Sequence, residues 1–129
     1  MKSNNYAPRV SQEKAQVIIR GLKLLVDEKK YRNPKLSAKQ FADELNIDHR
    51  LISVVVKREH GMTFPAYVNH YRVRELCKLL RNDNSECSVS VELMALKAGF
   101  ASRQSMSLAF AKELGTSPSE YRKRFSKKE

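Results

Sequence analysis

Residues 99–122 read GFASRQSMSLAFAKELGTSPSEYR, and the punctuation of this stretch decides the fold. A turn signal at Gly99, Phe100 and Ala101 leads to Ser102, a residue type that caps a helix by accepting a hydrogen bond from a first-turn amide. Met106, Ala109 and Phe110 follow at i, i+3 and i+4, the spacing of a helix face turned to a core. At 100° per residue the opposite face carries Gln104, Ser107, Leu108 and Ala111, with Arg103 at its front. Short polar side chains behind a leading cation suit the edges of base pairs in a DNA major groove. Gly115 stops this helix, and Ser117, Pro118 and Glu120 start another through a capping box. A helix buried on one side, open on the other and set between sharp turns is what a helix-turn-helix needs.

Reading outward, Ser90 caps a short helix bearing Val91, Met94, Ala95 and Ala98, which delivers the chain to Gly99. The same arrangement occurs earlier. Ser37 opens a helix with Gln40 at capping-box spacing and an apolar stripe of Ala38, Phe41, Ala42 and Leu45. Asn46, Ile47 and Asp48 form the turn, and Asp48 caps a helix over about 49–60 with Ile52, Val55 and Val56 inward. Its outer face carries Arg50, Ser53, Val54 and Lys57, with His49 at the start. Three consecutive valines at 54–56 favour a strand by propensity, but the caps and the i, i+3, i+4 spacing outweigh them. The two stretches superpose as an internal repeat. At an offset of 53, Leu36 matches Val89, Ser37 matches Ser90 and Phe41 matches Met94. After one inserted turn residue the offset is 54, where Ile52 matches Met106, Val56 matches Phe110, Gly61 matches Gly115 and Tyr67 matches Tyr121.

The remaining segments frame these two units. Residues 1–10 are polar, contain Pro8 and read as a flexible lead. From Ser11 a scaffold helix runs to about Lys29 with Ile18, Leu22 and Leu25 on one face. Val17 and Leu24 lie off that stripe, so either the helix is wrapped on more than one side, the preferred reading, or some apolar surface remains for a partner. Gly21, costly inside a helix, suggests a close backbone approach. Residues 31–36 form a connector in which Pro34 disfavours helix. Thr63 caps a linker helix over 64–80, residues 81–88 form a polar loop, and the chain ends in a short helix and a basic tail at 126–129. The expected fold is all-α, with about seven helices. A first unit over about 11–62 and a second over about 89–125 are joined by the linker.

At 129 residues the chain holds one domain or two small subdomains, and a large multidomain enzyme is excluded. Twenty-five Lys and Arg against 14 Asp and Glu give a net charge of +11, which favours a polyanionic partner. Cys77 and Cys87 have neither zinc-site spacing nor the density of a disulfide scaffold and read as reduced thiols. No metal site or cofactor is expected. No apolar run approaches the roughly 20 residues of a membrane span, and no signal peptide is evident, so a cytoplasmic protein is expected. His49, His60 and His70 are scattered, and no nucleophile pair or phosphate loop accompanies them, so no enzyme activity is expected.

The most specific motif is carried by Gly99, Phe100, Ser102, Met106, Phe110, Gly115, Ser117, Pro118, Tyr121 and Arg122. The first half adds NPxLS at 33–37, the series Phe64, Tyr67, Asn69 and Arg72, and the Leu79, Leu80 pair. On these residues the chain resembles the DNA-binding domain of the AraC/XylS family of bacterial transcription regulators, over about residues 11–125. The resemblance implies two helix-turn-helix units on a shared linker helix and binding to double-stranded promoter DNA through successive major-groove segments. It places base readers at Arg50, Ser53 and Val54 in the first unit and at Arg103, Gln104, Ser107 and Leu108 in the second, and the face reading adds His49. Lys57, Arg72, Arg122, Lys123 and Arg124 suit phosphate, for Arg72 with a linker-helix hydrogen bond as the alternative. RNA polymerase is a further partner to expect.

Two departures stand out: many members carry a basic residue where Val54 and Leu108 stand, and Leu76 replaces a small linker-helix residue. These residues leave no room for the effector or signalling domain that most members carry. The chain is therefore either a stand-alone regulator, which Met1 and the polar lead favour, or an excised fragment of a larger signal-responsive one. A helical protein-interaction module using Val54 and Leu108 is the alternative from another class.

Overall fold

The computed structural model describes residues 9–82 and 90–126. The expectations for residues 1–8, for Cys87 and the loop at 83–88, and for the tail at 127–129 lie outside the described residues. Among those described there are seven α-helices and no strand: α1 (Gln12–Asp27), α2 (Ala38–Leu45), α3 (His49–His60), α4 (Phe64–Arg81), α5 (Val91–Ala98), α6 (Arg103–Leu114) and α7 (Pro118–Ser126). A 3-10 turn at Lys30–Arg32 follows α1. This is the expected all-α fold, with α1 ending two residues early and α4 running one residue further.

Each helix starts where a short polar side chain captures a first-turn amide. Ser11, Ser37, Ser90, Ser102 and Ser117 accept from the backbone N–H groups of Lys14, Gln40, Leu93, Ser105 and Glu120, each at 3.1 Å. Thr63 accepts from Ala66 at 3.2 Å and Asp48 from Arg50 at 3.0 Å. These contacts satisfy donors that a helix start leaves orphaned.

The repeat is also geometric. Helices α2 and α5 each have 8 residues, and α3 and α6 each have 12. The turn after α2 is closed by Asn46 N–H to Asp43 O at 3.1 Å and Ile47 N–H to Ala42 O at 2.9 Å. The turn after α5 repeats both bonds, from Gly99 to Leu96 at 3.0 Å and from Phe100 to Ala95 at 3.0 Å. Left-handed glycines end both second helices, Gly61 at φ 70° and Gly115 at φ 68°, as helix C-termini favour.

The chain forms two compact units, one of residues up to Lys30 with Leu36–Val68, the other of Tyr31–Lys35 with the residues from Asn69 onward. In the first, Ile18, Leu22 and Leu25 of α1 are buried together with Phe41, Ile52, Val55 and Val56. Phe41 and Phe64 stack with ring centroids 5.2 Å apart. Gly21 does mark a close approach: a Cβ there would lie 3.0 Å from Leu45 Cδ1 and 3.1 Å from the Phe41 ring. Val17 and Leu24, by contrast, are 36% and 48% exposed. The expectation that α1 is wrapped on a second side is therefore corrected, since periodicity reports a helix's most apolar face and not whether another face is covered.

The second unit is built on Val73, Leu76, Leu80, Met94, Phe100 and Phe110, with Phe110 meeting Tyr121 edge to face at 5.6 Å. Its unexpected part is Tyr31–Lys35, which the sequence pattern assigns to the first unit. Tyr31 is buried and donates its hydroxyl to Glu75 Oε1 at 2.9 Å, and Arg32 pairs with the same carboxylate. Arg72 donates from Nε to Tyr31 O at 2.7 Å, from Nη2 to Asn33 O at 2.8 Å and from Nη1 to Asn69 Oδ1 at 3.3 Å.

This network has a pH signature. Burial first, then the hydrogen bond to the Glu75 carboxylate, push the Tyr31 phenol from 10.0 up to about 12. A raised pKa means that the fold favours the neutral phenol, so its stabilisation is complete below pH 10 and is lost as pH climbs toward 12. Ultraviolet phenolate titration of the folded protein should show a late step that Tyr31→Phe removes. Simultaneous ionisation of every tyrosine near the ordinary value would contradict this.

Candidate nucleic-acid interface

In the first unit α3 buries Leu51, Ile52, Val55 and Val56. His49, Arg50, Ser53 and Lys57 are exposed on its other side, while Val54 is half-buried. In the second unit α6 buries Met106, Ala109 and Phe110 and exposes Arg103, Gln104, Ser107 and Leu108. Leu108, at 65% exposed, has the most open large apolar side chain among the described residues. An aliphatic group so exposed at the middle of a polar helix face contributes little to the core beneath it.

Further basic residues lie in the last turn of α3 and on α7. Lys57, Arg58 and His60 occupy the last turn of α3, so Arg58 joins the cations that sequence reasoning singled out. Lys123 and Arg124 of α7 are exposed and Arg122 is half-buried. Arg72 does not join them. It is 9% exposed, its guanidinium faces two backbone carbonyls and the Asn69 side chain, and burial lowers its pKa. The phosphate role expected for Arg72 gives way to the linker-helix hydrogen bonds that were its alternative.

Both leading arginines meet carboxylates. Asp48, the cap of α3, receives Arg50 Nη2 on Oδ2 at 2.6 Å and Arg50 Nε at 3.2 Å from each oxygen. The Arg50 side chain, and then its backbone N–H, hold the Asp48 carboxyl far below the usual carboxylate range. Arg103 Nη1 lies 3.4 Å from Glu92 Oε2, which α5 supplies from its first turn. The sequence pattern marks Asp48 as a cap alone and gives no signal for Glu92. An Asp two residues before an Arg at a helix start was the available signal.

The histidines do not converge. His60 packs on Tyr67 with ring centroids 4.7 Å apart, and His70 Nδ1 lies 3.1 Å from Glu113 Oε1. Among the described residues no group of three His, Cys, Asp or Glu is placed to hold a metal ion. No described helix is long and apolar enough to cross a membrane.

The sequence profile of a helix-turn-helix domain family matches residues 41–124. No curated protein matches the chain. Among solved structures, the C-terminal domain of AraT, a response regulator from Geobacillus stearothermophilus, is 24% identical, with a TM-score of 0.72 over 91% of this chain and 88% of that one. The DNA-binding domain of AdpA, a global transcriptional factor in complex with a target DNA, is 19% identical, with a TM-score of 0.70 over 84% of this chain and 91% of that one. An AraC-type transcriptional regulator from Chromobacterium violaceum is 17% identical, with a TM-score of 0.68 over 92% of this chain and 100% of that one. At these identities the structural likenesses establish the fold.

Proposed function

The chain belongs to the AraC-type helix-turn-helix family, and from that premise we propose that it regulates transcription by reading promoter DNA with α3 and α6 in successive major-groove segments. One observation carries this reading. Two units with matching caps, turns and helix lengths each expose a second helix that carries an arginine in the first turn of its polar face. The net charge of +11 supplies long-range attraction to the phosphate backbone. The AdpA domain of the same fold is in complex with a target DNA, which supports the same class of partner here.

In this reading His49, Arg50, Ser53 and Val54 meet base edges from the first unit, and Arg103, Gln104, Ser107 and Leu108 from the second. Arg50 and Arg103 suit guanine, Gln104 suits adenine, and Val54 and Leu108 suit thymine methyls. Lys57, Arg122, Lys123 and Arg124 fix register on phosphates without carrying sequence information. No catalytic step belongs to it. The protein acts in the cytoplasm, with RNA polymerase as a further proposed partner.

Selection of bound DNA from a random pool tests the reading and yields the site, which should span roughly 20 base pairs with two half-sites about 34 Å apart. Four phosphate contacts predict that affinity for this site falls roughly a hundredfold between 50 and 200 mM salt through counterion release. Lys57→Ala should weaken all sequences alike and lower the salt slope by about one. A selected pool with no shared sequence, or affinity indifferent to salt, would sink the proposal.

A further inference from the structure

The two leading arginines are paired through different edges. A guanidinium offers two forks of N–H donors, a side fork of Nε and Nη2 and an end fork of Nη1 and Nη2. Asp48 occupies the side fork of Arg50, with Nη2 at 2.6 Å and Nε at 3.2 Å. Nη1 of Arg50 has no partner among the described residues, and Nη2 keeps its second hydrogen. The end fork is therefore left available on a side chain held in place, and such a fork can make a bidentate contact to guanine O6 and N7. Asp48 is fixed in turn, since its Oδ1 also accepts the Arg50 backbone N–H at 3.0 Å, and His49 Nδ1 stands 3.9 Å from the same oxygen.

At Arg103 the geometry is reversed. Glu92 Oε2 lies 3.4 Å from Nη1, an atom of the end fork, so a carboxylate charge stands beside a donor that a guanine would use. Both partners are well exposed there, and a single long exposed ion pair breaks readily.

We propose that Asp48 and Glu92 tune base recognition in opposite senses: Asp48 positions Arg50 for guanine, and Glu92 masks Arg103 until DNA displaces it. The proposal rests on the DNA-reading function above. A carboxylate near a DNA backbone repels phosphate, so it is tolerated where it improves a base contact and is a net restraint where it occupies one. Asp48 belongs to the first kind, and Glu92 to the second.

The test uses the site selected by the wild-type protein and versions of it with each guanine replaced in turn. Affinities are measured at one salt concentration for wild type, Arg50→Ala, Asp48→Ser, Asp48→Ser with Arg50→Ala, and Glu92→Gln. Serine preserves the helix cap but cannot hold the guanidinium. Arg50→Ala should identify one guanine by losing preference there. Asp48→Ser should lose about tenfold of that same preference, keep preferences elsewhere, and add nothing to Arg50→Ala in the double variant. Glu92→Gln should raise affinity for the selected site about threefold. Asp48→Ser retaining full preference at that guanine, or weakening all sequences alike, overturns the positioning role. Glu92→Gln that leaves affinity unchanged or lowers it overturns the masking role. If Arg50→Ala alters no base preference the positioning role also fails, whereas a wild-type protein that selects no site fails the DNA-reading function itself.

Discussion

Gly99→Ala should destabilise the second unit by about 4 kcal/mol or more, enough to unfold it or nearly so. Two effects combine. Gly99 sits at φ 109°, a conformation that side-chain-bearing residues rarely adopt. A Cβ there would also fall 2.2 Å from Tyr31 O, 2.8 Å from Arg32 Cα and 2.9 Å from Arg72 Nε. The first two are backbone atoms, which cannot swing aside as a side-chain tip can, and moving Tyr31 O would also break its bond from Arg72. Gly61 and Gly115 supply the control. Both have positive φ with nothing within 4 Å of where an alanine methyl would lie, so alanine at either should cost only about 1 kcal/mol. Urea denaturation of the three variants decides the matter. A Gly99→Ala protein as stable as Gly115→Ala would show that the connector does not press on this turn.

The second large effect is expected at Arg72. Arg72→Ala should cost about 3 kcal/mol, because it strips charged donors from the carbonyls of Tyr31 and Asn33 and leaves space where a buried guanidinium packed. Arg72→Lys should recover little, since one ammonium cannot reach both carbonyls and Asn69 in the directions a planar guanidinium does. The same variants separate this role from phosphate binding. Under conditions where Arg72→Ala remains folded, its DNA affinity should keep the wild-type salt slope, whereas a phosphate contact would lower that slope by about one. An unchanged denaturation midpoint with a reduced slope would reverse the assignment.

The contrast between Arg72 and the helix caps shows what the sequence discloses. Every cap named from the sequence, from Ser11 to Ser117, is at work, because a cap lies two or three residues from the amide it satisfies. The buried faces of α3 and α6 are equally legible, since Ile52, Val55 and Val56 and then Met106, Ala109 and Phe110 repeat at helical spacing. The network of Tyr31, Arg72 and Glu75 gives no such signal. Its partners are 41 and 44 residues apart, and a polar side chain in a basic chain reads as surface until something brings its partner to it. Outward positions such as Arg50 and Leu108 follow from the same periodicity that finds the core. The carboxylates facing the two arginines do not: Asp48 already had a local task as a cap, and Glu92 reaches Arg103 only through the turn between α5 and α6.

The placement of Tyr31–Lys35 also bears on how the protein is made. This short segment belongs with the residues from Asn69 onward, so Leu36–Val68 is an insertion within the second unit's own chain path. During synthesis Tyr31 and Asn33 leave the ribosome before α2 and α3 exist, and they wait for Arg72 and Glu75, 39 to 44 residues behind. The first unit can close on nearby contacts while the second still lacks half of its polar network. Long-separation pairings of this kind form late, so the polar network of the second unit is completed only after Arg72 and Glu75 have emerged. A backbone break between residues 35 and 36 would therefore detach a piece of the second unit, although it falls in sequence just before a helix of the first.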